Sequence, residues 1–174
     1  MEWAWLIPVF CFAAAPVIVV FGRFLPEKGS WLSILAIGAG FVVFWFILSS
    51  WLGADAATKG CFISESTGVL TCDYEREWFN AGLLGDVGST VLHWGILIDP
   101  LTIVMLGLVT FVALMVQIYS MVYMEGDPKF GWYFAVHSLF AASMLTLVLA
   151  DNFLLLYVAW ELVGICSYLL IGFW

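Results

Sequence analysis

Five stretches of about 20 apolar residues, Glu2–Gly22, Trp31–Leu52, Pro100–Tyr123, Trp132–Ala150 and Phe153–Trp174, dominate this 174-residue chain and leave it few ways to fold. A helix rises about 1.5 Å per residue, so each stretch matches the hydrocarbon thickness of a bilayer. Inside lipid every backbone N–H and C=O needs an internal partner, which a helix supplies within its own segment. Hydrophobic residues make up 64% of the chain and charged residues 10%, outside the range of soluble domains. The expected fold is an all-α membrane protein, a polytopic bundle of about five transmembrane helices. Met1-Glu2-Trp3 carries no basic n-region and the first stretch is longer than a signal-peptide h-region, so it reads as a retained helix.

Trp3, Trp31, Trp51, Trp132 and Trp174 stand at span ends, where an amphipathic ring prefers the headgroup layer. Ala36 and Gly40 give the second span a small-residue patch suited to close helix packing. Asp99-Pro100 opens the third as an N-cap acceptor followed by the residue best tolerated in the first turn. Only Asp151-Asn152 separates the fourth span from the fifth, so these two form a tight antiparallel pair.

Three regions follow: two helices over 1–52, an acidic segment over 53–99, and three helices over 100–174. In the middle segment Cys61–Ser64 and Val69–Cys72 flank a Glu65-Ser66-Thr67-Gly68 turn, which predicts a small β-hairpin. Thr90–Ile98 sets large apolar residues at Leu92, Trp94, Ile96 and Ile98, a strand-like alternation. The hairpin would set Cys61 and Cys72 on facing strands, so a Cys61–Cys72 disulfide is expected if the segment lies outside the cytoplasm. Cys11 and Cys166 lie inside spans, where a thiol acts as a small hydrophobe.

The net charge of −8 lies almost wholly outside the spans. Seven acids, Asp55, Glu65, Asp73, Glu75, Glu77, Asp86 and Asp99, fall between the second and third spans, which argues against nucleic acid or anionic lipid as partners. Arg23 and Lys28 mark the first loop and Lys129 the third, so the positive-inside rule puts these loops in the cytoplasm and the N-terminus outside.

Glu161 is the chain's most unusual residue, a carboxylate roughly 12 Å along the last helix from Phe153. At that depth it must be neutral, paired or facing a wet cavity, and such residues usually serve a function. Tyr157, Glu161, Gly164 and Tyr168 recur at helical spacing and form one stripe, with two hydroxyls, a carboxyl and a gap that water can fill. The fifth helix packs beside the fourth, so Glu161 is expected to face it. All five basic residues, Arg23, Lys28, Lys59, Arg76 and Lys129, lie outside the spans, so an intramembrane cation would come from elsewhere. His137, about a turn and a half into the fourth span, is a further relay candidate near the cytoplasmic end. The plainer alternatives are a carboxyl that only ties helices together and an interfacial histidine. The sequence has no Gly-rich phosphate loop, metal-spaced Cys/His cluster, haem-attachment motif or nucleophile elbow, so no redox or hydrolytic centre of its own is expected.

Asp99-Pro100-Leu101-Thr102, Tyr119-Ser120, Tyr123-Met124, Met144, Val148-Leu149-Ala150-Asp151-Asn152 and the run from Trp160 to Trp174 (WELVGICSYLLIGFW) closely resemble the L-type, mitochondrial chain 5 antiporter-like subunit of respiratory complex I. The resemblance covers Asp99 to Trp174; the part before it agrees in layout. It implies a fragment of a larger antiporter-like fold within a proton-translocating membrane arm of an NADH:quinone oxidoreductase, an integral multi-pass protein of the bacterial inner membrane. NADH, FMN, iron-sulfur clusters and quinone would belong to partner subunits, with none bound by this chain. The partners would be the other membrane subunits, the adjacent antiporter-like one above all. Glu161 matches the family's key glutamate, which pairs with a lysine on a seventh helix, and Tyr157, Tyr168 and His137 become its hydration or relay neighbours. The family's outward N-terminus agrees with the charge-based orientation. Gln117 stands where many members carry His, which puts a titrating role there in doubt. Members are several times longer, so the chain reads as an N-terminal part. A multisubunit cation/proton antiporter, a related membrane hydrogenase or an inorganic-carbon uptake complex shares the helical core, and a non-transporting structural subunit is the reading from a different class.

Overall fold

The computed structural model describes residues 2–22, 24–54, 58–64, 68–81 and 90–174, excluding the side chains of residues 2, 26, 76–81 and 90–94. Arg23, the Glu65–Thr67 turn, and the side chains of Leu92 and Trp94 therefore lie outside it. Among the described residues, five helices are long and apolar enough to cross a membrane: α1 (Leu6–Phe21, led by a 3-10 turn over Glu2–Trp5), α2 (Ser30–Leu52), α3 (Pro100–Tyr123), α4 (Phe130–Leu149) and α5 (Phe153–Ile171). Their starts follow local chemistry. The Asp99 carboxylate accepts from Thr102 N at 2.6 Å and Pro100 opens α3, while the Asn152 amide oxygen accepts from Leu155 N at 2.8 Å and opens α5.

α4 is the hub, packing against α1, α2, α3 and α5, whereas α5 leans chiefly on α4. Close approach depends on small residues. Gly40 of α2 lies so near Ile7 of α1 that an added Cβ would sit 3.0 Å from its Cγ2, and Phe44 lays its ring on Gly107 of α3. Ile7, Cys11, Ile37, Phe44, Leu106, Ala142 and Leu145 join in one buried cluster.

The 53–99 segment contains more strand than the sequence predicts. β1 (Cys61–Ile63), β2 (Leu70–Ala81) and β3 (Thr90–Ile98) form an antiparallel sheet in the order β1-β2-β3. The predicted hairpin is β1 with the start of β2; β2 then runs on through its acids to pair with β3, from Cys72 opposite Ile98 to Ala81 opposite Thr90. Cys61 and Cys72 are register partners with sulfurs 2.04 Å apart, joined as a disulfide. These cysteines, with Ile96 and Ile98, enter the same buried cluster as the helices, so the sheet is rooted in the bundle.

The sheet docks on the α4–α5 corner through an Ile96–Ala150 bridge. There Gly95 leaves no room for a larger residue unless Asp151 moves, because an added Cβ would overlap the Asp151 carboxylate. At the opposite end of the helices, Lys28 Nζ donates to the Asp127 carbonyl at 3.2 Å and ties the first loop to the third. The two loops marked as basic in the sequence thus share one end of the bundle, and the acidic sheet caps the other.

Candidate functional site

Among the described residues, two polar groupings occupy the helical region. The first is the α5 stripe. Tyr157, Glu161, Gly164 and Tyr168 do share one face, and all four are exposed. Glu161 interacts with the Tyr157 side chain one turn earlier. The expectation that Glu161 faces α4 is incorrect. Ala159 and Cys166, at 1% and 0% exposure, turn toward α4, where Cys166 meets Ser143, and the stripe points the other way. The cause is geometric: a helix face can meet a neighbour only at the separation its side chains allow, and small Ala159 and Cys166 let α4 approach where Glu161 and two tyrosines would hold it off.

The second grouping is sealed inside the bundle. Ser33 of α2, Gln117 of α3 and Ser138 of α4 are fully buried, and His137 of α4 nearly so. Gln117 Nε2 donates to Ser33 Oγ at 2.5 Å and lies 3.2 Å from His137 Nδ1. Ser33 also bonds the Ser138 hydroxyl and donates to the Phe134 carbonyl at 3.4 Å. One turn toward the basic loops, the Ser120 and Tyr133 hydroxyls meet at 2.9 Å, and the Tyr133 ring lies 5.9 Å from that of His137. Sequence reasoning found His137 but not Ser33, Ser138 or Tyr133. Gln117 drew notice only as a substitution for histidine; the imidazole it contacts comes from α4. The signal available was a large polar amide in mid-span, where lipid tolerates it only with partners.

Outside the helices, Asp73, Glu75 and Asp151 place one carboxylate oxygen each within 4.8 Å of the others, the one such grouping of possible metal ligands among the described residues. Burial, then repulsion from Glu75 and Asp151, raises the Asp73 pKa against a smaller opposing hydrogen bond from the Tyr74 backbone.

Residues 85–134 match the sequence family described as NADH-ubiquinone oxidoreductase (complex I), chain 5 N-terminus. The chain is 44% identical over 173 residues to F(420)H(2) dehydrogenase subunit L of Methanosarcina mazei, covering 99% of this chain and 22% of that protein. It is 39% identical over 172 residues to NAD(P)H-quinone oxidoreductase chain 5 of Synechocystis sp., covering 98% and 23%. It thus spans less than a quarter of the length of these curated relatives. A chain of the Mrp complex from Dietzia sp. superposes with a TM-score of 0.69 and 26% identity, over 97% of this chain and 16% of that one. Over nearly its whole length the chain is thus similar to part of the membrane subunits named for complex I-type oxidoreductases, and these likenesses support an antiporter-like subunit of that group.

Proposed function

We propose that this chain contributes to proton translocation in the membrane arm of a complex I-type oxidoreductase, with Glu161 as the protonatable coupling group. The observation that carries the reading is a carboxylate in mid-span, beside Tyr157, on a face that the bundle leaves open. A polar stripe facing hydrocarbon is costly, so the face fits one covered by further helices of a longer protein or by a neighbouring antiporter-like subunit. Tyr157 and Tyr168 would hold water along it, since each hydroxyl both donates and accepts. His137 would relay protons within the bundle. Electron transfer would occur in partner subunits carrying flavin, iron-sulfur clusters and quinone. The donor named for the relatives differs, F(420)H(2) in one and NAD(P)H in the other.

Orientation belongs to the same proposal. The Cys61–Cys72 pairing and the basic loops at the other end support a sheet and N-terminus outside the cytoplasm, in a bacterial inner membrane. Mass analysis of the non-reduced protein tests this; Cys11 and Cys166 are free in either case, and free thiols at Cys61 and Cys72 as well would remove the disulfide. For Glu161 the test is Glu161→Gln in the assembled complex. Proton pumping should fall by about tenfold or more while assembly persists. Unchanged pumping would leave α5 a structural role. The likeness to the Mrp complex chain supports a second reading, cation/proton exchange without quinone chemistry. Cation-driven proton movement in vesicles lacking any quinone substrate would favour it.

A further inference from the structure

We propose that the recess between the start of α4 and the end of α5 holds the phosphodiester of a bilayer phospholipid, with Lys129, Trp132 and Tyr168 as its donors. The inference needs only a bundle embedded in a membrane and does not rest on the role given to Glu161.

The recess has a volume of about 240 Å³ and is lined by Lys129, Trp132, Tyr168, Leu169, Gly172 and Phe173. Antiparallel packing builds it: Lys129 immediately precedes α4 and Gly172 and Phe173 immediately follow α5, so residues far apart in sequence meet at one end of the pair. Phe173 is buried and forms the floor, with the Lys129 ammonium 5.9 Å from its ring centroid. Gly172 keeps the space open. Its φ of −79° is one that any residue adopts, and among the described residues an added Cβ would meet only the Tyr168 carbonyl, at 3.1 Å.

Each polar side chain on the wall can donate a hydrogen bond: the Lys129 ammonium, the Trp132 indole N–H and the Tyr168 hydroxyl. No carboxylate is among the lining residues. Asp127, close by in sequence, spends a carboxylate oxygen on the Lys129 backbone N–H at 2.7 Å. Among the described residues the ammonium forms no ion pair, and its one ring contact is Phe173. A cation and two neutral donors around one opening suit an anion with several oxygens.

Depth selects the anion. The recess lies at the basic-loop end of the bundle, where the exposed rings of Trp132 and Trp174 mark the headgroup layer. The phosphodiester is the anion that a phospholipid leaflet presents there. Leu169 on the wall and the exposed Ile165 one turn deeper give an acyl chain an apolar lane, beside the Tyr157–Glu161–Tyr168 stripe rather than over it. The acids that argue against anionic lipid gather in the sheet region, at the other end. At this end Glu125 and Asp127 balance Lys28 and Lys129, so a zwitterionic headgroup, that of phosphatidylethanolamine, fits the local charge.

The test is photocrosslinking in vesicles that contain the whole protein in its native assembly, with a phosphatidylethanolamine probe carrying its photoreactive group near the headgroup end of one acyl chain. Labelled peptides should include the start of α4 or the segment 165–173. Excess unlabelled phosphatidylethanolamine should remove this labelling, whereas a phosphate-free diglucosyl lipid with the same chains, or inorganic phosphate, should not. Lys129→Met, and Gly172→Leu, which fills the recess without changing charge, should each lower the labelling about fivefold relative to a lipid-facing reference at Phe46 of α2. Lys129→Arg should retain it. The competition arm needs no variant, so a failure of either substitution to assemble leaves the proposal open to refutation. Absence of labelling, equal competition by the diglucosyl lipid, displacement by inorganic phosphate, or labelling unchanged in both variants would overturn it.

Discussion

α4 and α5 are adjacent helices of similar length and comparable apolar character, yet 61% of the most apolar window of α4 is buried and only 11% of that of α5. α4 turns its polar residues inward: His137, Ser138, Ser143 and Thr146 are all buried in the bundle. α5 does the reverse, with Tyr157, Glu161 and Tyr168 pointing away from its one main neighbour. In water an outward polar face is ordinary. In hydrocarbon it is unfavourable, because nothing there solvates a carboxyl or hydroxyl group. The outer face of α5 is thus a poor lipid surface and a good lining for a protein-enclosed polar path, whereas α4 is already complete.

The contrast can be broken by paired substitutions. Phe134→Ala removes a fully buried α4 ring and should cost about 3–5 kcal/mol in thermal unfolding of the detergent-purified protein. In the 174-residue chain by itself, Leu154→Ala, on the half-exposed side of α5, should stay within about 0.5 kcal/mol. Equal costs would mean that α5 is packed as tightly as α4 within this region. Gly95→Ala tests the joint between the sheet and the corner linking these helices; the clash with Asp151 should cost about 1–3 kcal/mol, and adding Asp151→Gly should recover most of it. Asp99→Ala and Asn152→Ala each remove a helix cap, one from α3 and one from α5, and each should cost about 1 kcal/mol by the same measurement.

The smallest effect is a pH dependence at the sheet. Asp73 has a folded-state pKa raised above the ordinary 3.8, first by burial and then by Glu75 and Asp151. An acid of this kind binds its extra proton in the folded state. Its favourable contribution is complete below the unfolded value and is lost as pH rises through the folded one. Hydrogen exchange in β2, corrected for intrinsic rates, should therefore slow on acidification through the window just above 3.8, and Asp73→Asn should flatten the response.

Much of the helical framework was legible because lipid imposes one rule on every span, and span ends fall within a few residues of the helix ends wherever Trp, Pro or an N-cap marks them. The Cys61–Cys72 register was legible from a short turn between two β-prone runs. The extension of β2 was not: charges at Asp73, Glu75 and Glu77 mask the strand pattern, and its pairing with β3 is long-range. The direction of Glu161 was misread for a different reason. A helix apolar nearly all round contains a stripe but no sign of which side its neighbour takes, and the choice here fell to small Ala159 and Cys166. The Ser33–Gln117–His137 cluster went unseen because each member is a single polar residue on a separate helix, and only packing brings them together.

The most direct test of the account places a nitroxide label at Tyr157→Cys, beside Glu161, in the whole protein in membranes, and measures its collision rates with oxygen and with a water-soluble nickel chelate. An enclosed polar path predicts an oxygen rate well below that of a lipid-borne nitroxide at the same depth. An oxygen rate equal to the lipid probe, with no nickel contact, would place the Glu161 face in open hydrocarbon and contradict the account.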